Sequence, residues 1–147
     1  MLSNTCKYAI RAIIYLALYD GENRKIGIKE ISKELNIPTP FLGKILQLLA
    51  KNKLLTSTKG PNGGFGLAKP PKEITLLSII QIIDGLDLFT ECLIGLSSCK
   101  PTEHNDVQCP IHKRYEPISK QIYEMFDTEN IENLKNEILA SEGKIGL

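Results

Sequence analysis

The segment Lys59-Gly60-Pro61-Asn62-Gly63-Gly64 constrains this 147-residue chain more than any other stretch. Three glycines and a proline in six residues can continue neither a helix nor a regular strand, so they must turn. Strand-like residues flank them, Leu54-Leu55-Thr56-Ser57-Thr58 before and Phe65-Gly66-Leu67 after, and together they predict a β-hairpin. What precedes the hairpin is helical in period. Thr5 to Tyr19 repeats Ile10, Ile13, Ile14 and Ala17, and Gly27 to Leu35 aligns Ile28, Ile31 and Leu35. Asn36-Ile37-Pro38 forms a turn, because a residue before proline avoids helical geometry. Thr39 is then expected to cap a third helix, with Pro40 at its first position, running to about Asn52. That helix is expected to bury Phe41, Leu42, Ile45, Leu48 and Leu49 and to expose Pro40, Lys44, Gln47 and Lys51.

Three helices followed by a hairpin describe a winged helix-turn-helix, so the fold class is mainly α with a small β-hairpin wing. Beyond Pro70-Pro71, Thr75 is placed to cap a fourth helix holding Leu76, Leu77, Ile79, Ile80, Ile82 and Ile83. Residues 87–110 lack a sustained period. From Pro110 to Phe126, Ile111, Tyr115, Ile118, Ile122 and Met125 form a heptad-like stripe on a long helix, which Pro117 should kink. Thr128 is expected to cap a last helix with Ile131, Leu134 and Ile138 inward. The division that follows is 1–72 as the winged helix-turn-helix region and 73–147 as a loop (about 87–110) plus dimerisation helices, all in one compact chain.

Charge is segregated along the same boundary. Residues 1–72 carry 12 Lys and Arg against 4 Asp and Glu, whereas 73–147 carry 6 against 13. A basic half with this architecture suits a polyanion, and double-stranded DNA is the partner expected. The third helix would enter the major groove with Thr39, Lys44, Gln47 and Lys51, while Lys59 and Asn62 on the hairpin tip meet the backbone or minor groove. A solvated helix face is the ordinary reading of single lysines; here the helix face, the tip and the charge balance agree. Gly43, on the edge of that helix, reads either as a weak spot worth about 1 kcal/mol or as a point of close approach to DNA.

Three of the four cysteines fall between Cys92 and Cys109, which core usage would not favour. With His112 they make C-x6-C-x9-C-x2-H. Thiolates are soft ligands suited to iron–sulfur clusters or zinc, and Cys109 and His112, three apart at a helix start, project from one face. A metal-free thiol sensor uses the same residue types. His104 reads as solvent-exposed.

The pattern Ser3-x-x-x-x-Tyr8-Ala9-x-Arg11-Ala12, the Lys51-Asn52-x-Leu54-Leu55 that leaves the third helix, and Lys59-Gly60-Pro61-Asn62-Gly63-Gly64-Phe65 together resemble the Rrf-type regulators, the family of IscR-, NsrR- and CymR-like proteins. The resemblance covers essentially the whole chain. It implies a homodimer joined through the long C-terminal helices and a pseudo-palindromic operator; the Ile111–Met125 stripe agrees, although a helix buried within one chain would look similar. It further implies that Cys92, Cys99, Cys109 and His112 hold an iron–sulfur cluster, 2Fe–2S or 4Fe–4S, that senses iron–sulfur, redox or nitric oxide status. The spacing departs from the family's near-equal gaps, most between Cys99 and Cys109. Where some relatives supply a ligand from the first helix this chain has Lys7, which cannot ligate, with Cys6 beside it.

Other classes fare worse. Cys109 and His112 lack the third orienting group and oxyanion donors that a catalytic pair needs, and the glycine-rich turn lies between strands, so no enzyme is expected. A module binding only proteins would show little salt-sensitive DNA affinity. Ala9 to Leu18 is too short to span a bilayer and contains Arg11, and Met1-Leu2-Ser3-Asn4 lacks the order of a secretory leader, so no membrane association and a cytoplasmic location are expected.

Overall fold

The computed structural model describes residues 1–20, 24–95 and 109–147. Its first helix, α1 (Asn4–Leu18), begins where the Ser3 hydroxyl accepts from the Cys6 amide. Ser3 is also clamped to Asp84, its amide donating at 2.8 Å and its hydroxyl at 2.5 Å. Ala9, Ala12 and Ile13 are wholly buried, and the two alanines leave room for neighbours on several sides. α1 accordingly touches α2 (Ile28–Leu35), α3 (Thr39–Lys51), α4 (Leu76–Ile83) and α7 (Ile131–Ala140).

Between α3 and α4 lies the hairpin, β1 (Leu55–Thr58) and β2 (Gly64–Leu67), antiparallel with Leu55 opposite Leu67 and Thr58 opposite Gly64. Ile26, in the link before α2, adds a third rung: its amide donates to Phe65 O at 2.9 Å and its carbonyl accepts from Phe65 N at 2.8 Å. This rung requires a glycine at 64, where φ is +149° and a Cβ would lie 2.5 Å from Ile26 O. The wing is therefore fastened to the helical core at its root while its tip stays exposed.

Two details of α3 differ from expectation. Pro38, not Thr39, is the cap; its carbonyl accepts from Leu42 N at 2.9 Å, so Thr39 and Pro40 are both inside the first turn. Thr39 instead donates its hydroxyl to Ser32 Oγ at 2.9 Å, and Ser32 donates to Ile37 O at 2.5 Å, which closes the α2–α3 turn. The buried side is Leu42, Ile45, Leu46 and Leu49, while Phe41 and Leu48 are each 39% exposed. Leucines occur on both flanks of this helix, and periodicity alone could not say which flank faces the core.

α4 starts at Thr75, whose hydroxyl accepts from Ser78 N, and ends at Asp84-Gly85. A short α5 (Asp87–Thr90) is strapped to α6 (Pro110–Thr128), a 19-residue helix about 28 Å long. Tyr115 OH donates to Leu88 O at 2.8 Å, buried Ser119 donates to Phe89 O at 3.2 Å, and the Phe89 ring meets Tyr123 and Phe126 edge-on. α6 continues through Pro117.

α7 returns to the N-terminal side. Thr128 does not cap it: that hydroxyl donates back to Glu124 O at 2.8 Å, within the last turn of α6. The chain first pairs with the segment before α4, Leu76 N donating to Glu129 O and Ile131 N to Ile74 O. Asn130 then caps α7 by accepting from Asn133 N at 3.0 Å. Ile131 is fully buried and Leu134 and Ile138 pack on the same core as α1 and α3. One continuous core thus spans both charge halves of the chain.

Candidate nucleic-acid interface and cysteine site

Lys44, Gln47 and Lys51 are exposed on the outer side of α3, spaced three and four apart so that they share one face. Lys59 and Asn62 are exposed at the wing tip. Thr39 is half-buried, its hydroxyl donating to Ser32, which makes it a turn residue whose oxygen can still accept. Among the described ion pairs, only Arg24 with Glu30 is joined, at 2.7 Å; Lys44, Lys51 and Lys59 have no acidic partner there.

What aims α3 is largely the first-helix pattern, whose role could not be read from sequence. Arg11 Nη2 donates to Leu35 O at 2.8 Å, satisfying an end carbonyl of α2, and its guanidinium lies 5.8 Å from the Tyr8 ring centre. Tyr8 in turn meets Phe41 edge-on at 5.8 Å. One residue series thus ties α1 to both helices of the helix-turn-helix. Gly43 belongs to the same packing: a Cβ there would stand 3.2 Å from Ile28 Cδ1, so the missing side chain lets α2 and α3 approach. A larger residue here would press on Ile28. At the wing root, the Lys25 ammonium donates to Thr56 Oγ1.

The cysteines fall into two environments. Cys6 is fully buried, and desolvation, reinforced by the nearby Asp84 carboxylate, pushes its thiol up to about 12. Such a thiol is a core side chain that stays protonated at neutral pH. Cys109 caps α6 and is 6% exposed; Cys92 is half-buried just after α5. His112 sits in the first turn of α6, and its Nδ1 is buried with no hydrogen-bond partner. A buried ring nitrogen without a partner is costly unless something else satisfies it. Soft sulfur donors with an unsatisfied imidazole nitrogen fit a metal centre chemically. Cys99 and His104 lie outside the described residues, and among the described residues no group of three or more His, Cys, Asp or Glu is gathered.

Above the α5–α6 strap, Ile118 and Met125 are each 53% exposed, and Ile111 is exposed as well. An apolar cavity of about 340 Å³ opens beside them, bounded by Leu2, Leu88, Leu93, Ile122 and Phe126. No helix among the described residues is long and apolar enough to cross a membrane.

This arrangement has relatives. The family described as Rrf2, iron-dependent transcriptional regulator, matches residues 2–137. The chain belongs to the Rrf2 family. An HTH-type transcriptional regulator of Aquifex aeolicus is 37% identical over 136 residues, covering 92% of each chain. IscR of Photorhabdus laumondii is 28% identical, over 97% of this chain and 85% of its own. Among solved structures, CymR, the global cysteine regulator of B. subtilis, superposes with a TM-score of 0.75 at 23% identity, covering 93% of this chain and 97% of that one. T. potens IscR gives 0.75 at 21% identity, covering 100% and 93%. These likenesses bear out the mainly helical fold with a hairpin wing. As an Rrf2-family member the chain is a transcription regulator, of a family that binds DNA.

Proposed function

We propose that this chain is a homodimeric repressor or activator that reads a two-fold operator through α3 and the wing and answers to a cluster held by Cys92, Cys99, Cys109 and His112. The DNA surface comprises Lys44, Gln47, Lys51, Lys59 and Asn62, with Thr39 at its edge. Unpaired lysines on one helix face and on a rooted wing tip support that reading, since they can displace counterions from phosphates without first breaking a salt bridge. The exposed stripe of Ile111, Ile118 and Met125 on α6 supports a two-chain seam, because apolar side chains in a row gain from mutual burial. With DNA as its partner, the protein works in the cytoplasm.

The observation that carries the sensor reading is the buried, unpartnered His112 Nδ1 one helical turn from buried Cys109. When bound, an iron–sulfur cluster supplies a centre whose charge and ligation change with oxidant, iron supply or nitric oxide. The chain's own residues do the rest. Cys109 and His112 lie at the start of α6, whereas Cys92 follows α5, so in holding one cluster these residues would exert a pull between the α5 end and the α6 start. Because α5 is hydrogen-bonded to α6 through Tyr115 and Ser119, that pull would bear on the seam helix. A reading as a cluster-free thiol regulator gains less support, since a nearly buried Cys109 gives oxidants poor access.

Anaerobic purification followed by an absorption spectrum and a mobility-shift titration tests both halves. Visible absorption that is lost in Cys99→Ala and Cys109→Ala, with operator affinity changing 5- to 150-fold between loaded and empty protein, is the result expected for a coupling of about 1–3 kcal/mol. Colourless protein with stoichiometric zinc, or equal affinity of both forms on every operator, overturns the sensing role and leaves a DNA-binding regulator.

A further inference from the structure

Among the described large hydrophobic side chains of residues 1–72, the exposed ones are Met1, Phe41 and Leu48, the last two each 39% exposed. Single exposed apolar residues are ordinary on any surface. Two on the same short helix, seven residues apart and so on one side of it, are a patch. Phe41 is held edge-on by Tyr8, which leaves part of its ring in solvent. Leu48 follows Gln47 directly, with Lys44 four residues before it and Lys51 three after, all exposed. The occupant of this patch must accept a leucine while being drawn to two ammonium groups. An acidic polymer with apolar points on it has that chemistry, and the major groove of DNA presents one such point at every thymine, the 5-methyl group.

We propose that Leu48 reads thymine in the operator through the 5-methyl group, with the exposed edge of Phe41 as the neighbouring apolar wall. The inference rests on the assignment of α3 as the reading helix. Lys44 and Lys51 anchor the backbone on either side, and Gln47 addresses a base edge next to the one Leu48 covers. Leucine offers no hydrogen bond, so it discriminates against cytosine by desolvating the exocyclic amine without a partner and favours thymine by covering its methyl. A methyl removed from such a contact is worth about a fourfold change in affinity.

The test uses a duplex selected from a random-sequence library by the wild-type protein. Each thymine of that duplex is replaced in turn by deoxyuridine, which lacks only the methyl group. The wild type is expected to lose about fourfold at one or two thymines per half-site. Leu48→Ala is expected to bind the all-thymine duplex about as weakly as the wild type binds those deoxyuridine duplexes, and to be indifferent to the same replacements. Leu48→Met, which keeps an apolar tip, should restore the response. Lys44→Ala and Gln47→Ala are measured in parallel on the same duplexes. If these two weaken binding but every deoxyuridine acts equally on wild type and Leu48→Ala, the thymine contact is overturned while α3 stays the reading helix. If neither changes affinity, the reading-helix assignment itself falls. A Leu48→Ala protein with unchanged DNA response but altered mass in sedimentation assigns the patch to protein contact and also overturns the proposal.

Discussion

The helix-turn-helix head and the α5–α6 arm are built to different standards of self-sufficiency. In the head, α3 is fixed by a fully buried side, by the Ser32–Thr39 turn bonds and by the Arg11–Tyr8–Phe41 series, so its outer face is held rigid for contact. In the arm, α6 packs on α4 and is held by hydrogen bonds and rings from α5, yet keeps a row of apolar side chains in water. The difference teaches where the chain would depend on something beyond itself: the head carries its own geometry, while the arm leaves an apolar row that the proposed second chain would cover. α7 joins the two, since it follows α6 directly yet packs on α1.

The sharpest break is a cavity in the head. Leu46→Ala, at a fully buried site, should cost about 2–5 kcal/mol of folding stability, read as a lower urea midpoint with an unchanged slope. Because the core is continuous, α7 should unfold in the same transition; a separate transition for the C-terminal helices would contradict the shared core.

Ile118→Asp probes the arm and should behave in the opposite way. At a side chain already half in solvent, the isolated fold should be nearly unaffected, but a charge on an apolar seam should weaken dimerisation by several kcal/mol. Sedimentation should then show monomers that melt close to the wild-type monomer. A dimer of unchanged stability would move the seam off α6.

Arg11→Met returns to the head with a smaller change. It keeps the stem but leaves Leu35 O without its charged donor, a loss of about 1.5–3 kcal/mol. It should also slacken the tie between α1 and α3, so specific DNA binding should fall more than binding to random DNA. Equal losses on both would reduce Arg11 to a stabiliser.

The mildest effect separates the cysteines. Burial, with the Asp84 carboxylate, pushes the Cys6 thiol from its ordinary 9.0 up to about 12, so its protonated form favours the native state. The unfolded chain therefore releases its proton first, and stability should fall as pH rises above 9, levelling off near 12. Urea midpoints between pH 8 and 10.5 should decline less steeply in Cys6→Ala than in wild type. Thiol reagents at neutral pH should spare Cys6 until the head unfolds; rapid labelling of Cys6 in the native protein would contradict its burial.

The order of elements and the polar side of α3 were legible in the residues because they rest on short-range effects: 3.6-residue periodicity, a cap at Thr75, a proline after Ile37 and clustered glycines in the turn. The charge division and the C-x6-C-x9-C-x2-H spacing belong to the same class, needing only linear distance. Caps were misplaced where a tertiary partner took the hydroxyl, as Ser32 does with Thr39, or where a bridge intervened, as Thr75 with Asn130 does before α7. Which apolar flank of α3 is buried, what Gly43 packs on and what Arg11 bonds to all depend on α1 and α2 crossing α3.

By itself, then, the sequence determined a three-helix unit with a wing, a basic face upon it, and a soft-ligand cluster ahead of a long helix, since each follows from residue type at a fixed interval along the chain. Only the tertiary structure decided that Cys6 is a core thiol while Cys109 is buried one turn from an unpartnered His112 nitrogen, and that Leu48 is exposed beside Lys44 and Lys51. The reason is physical: burial and partnership are properties of the surfaces that α1, α3, α6 and α7 present to one another, and identical side chains at equal spacing acquire opposite roles according to which neighbour covers them.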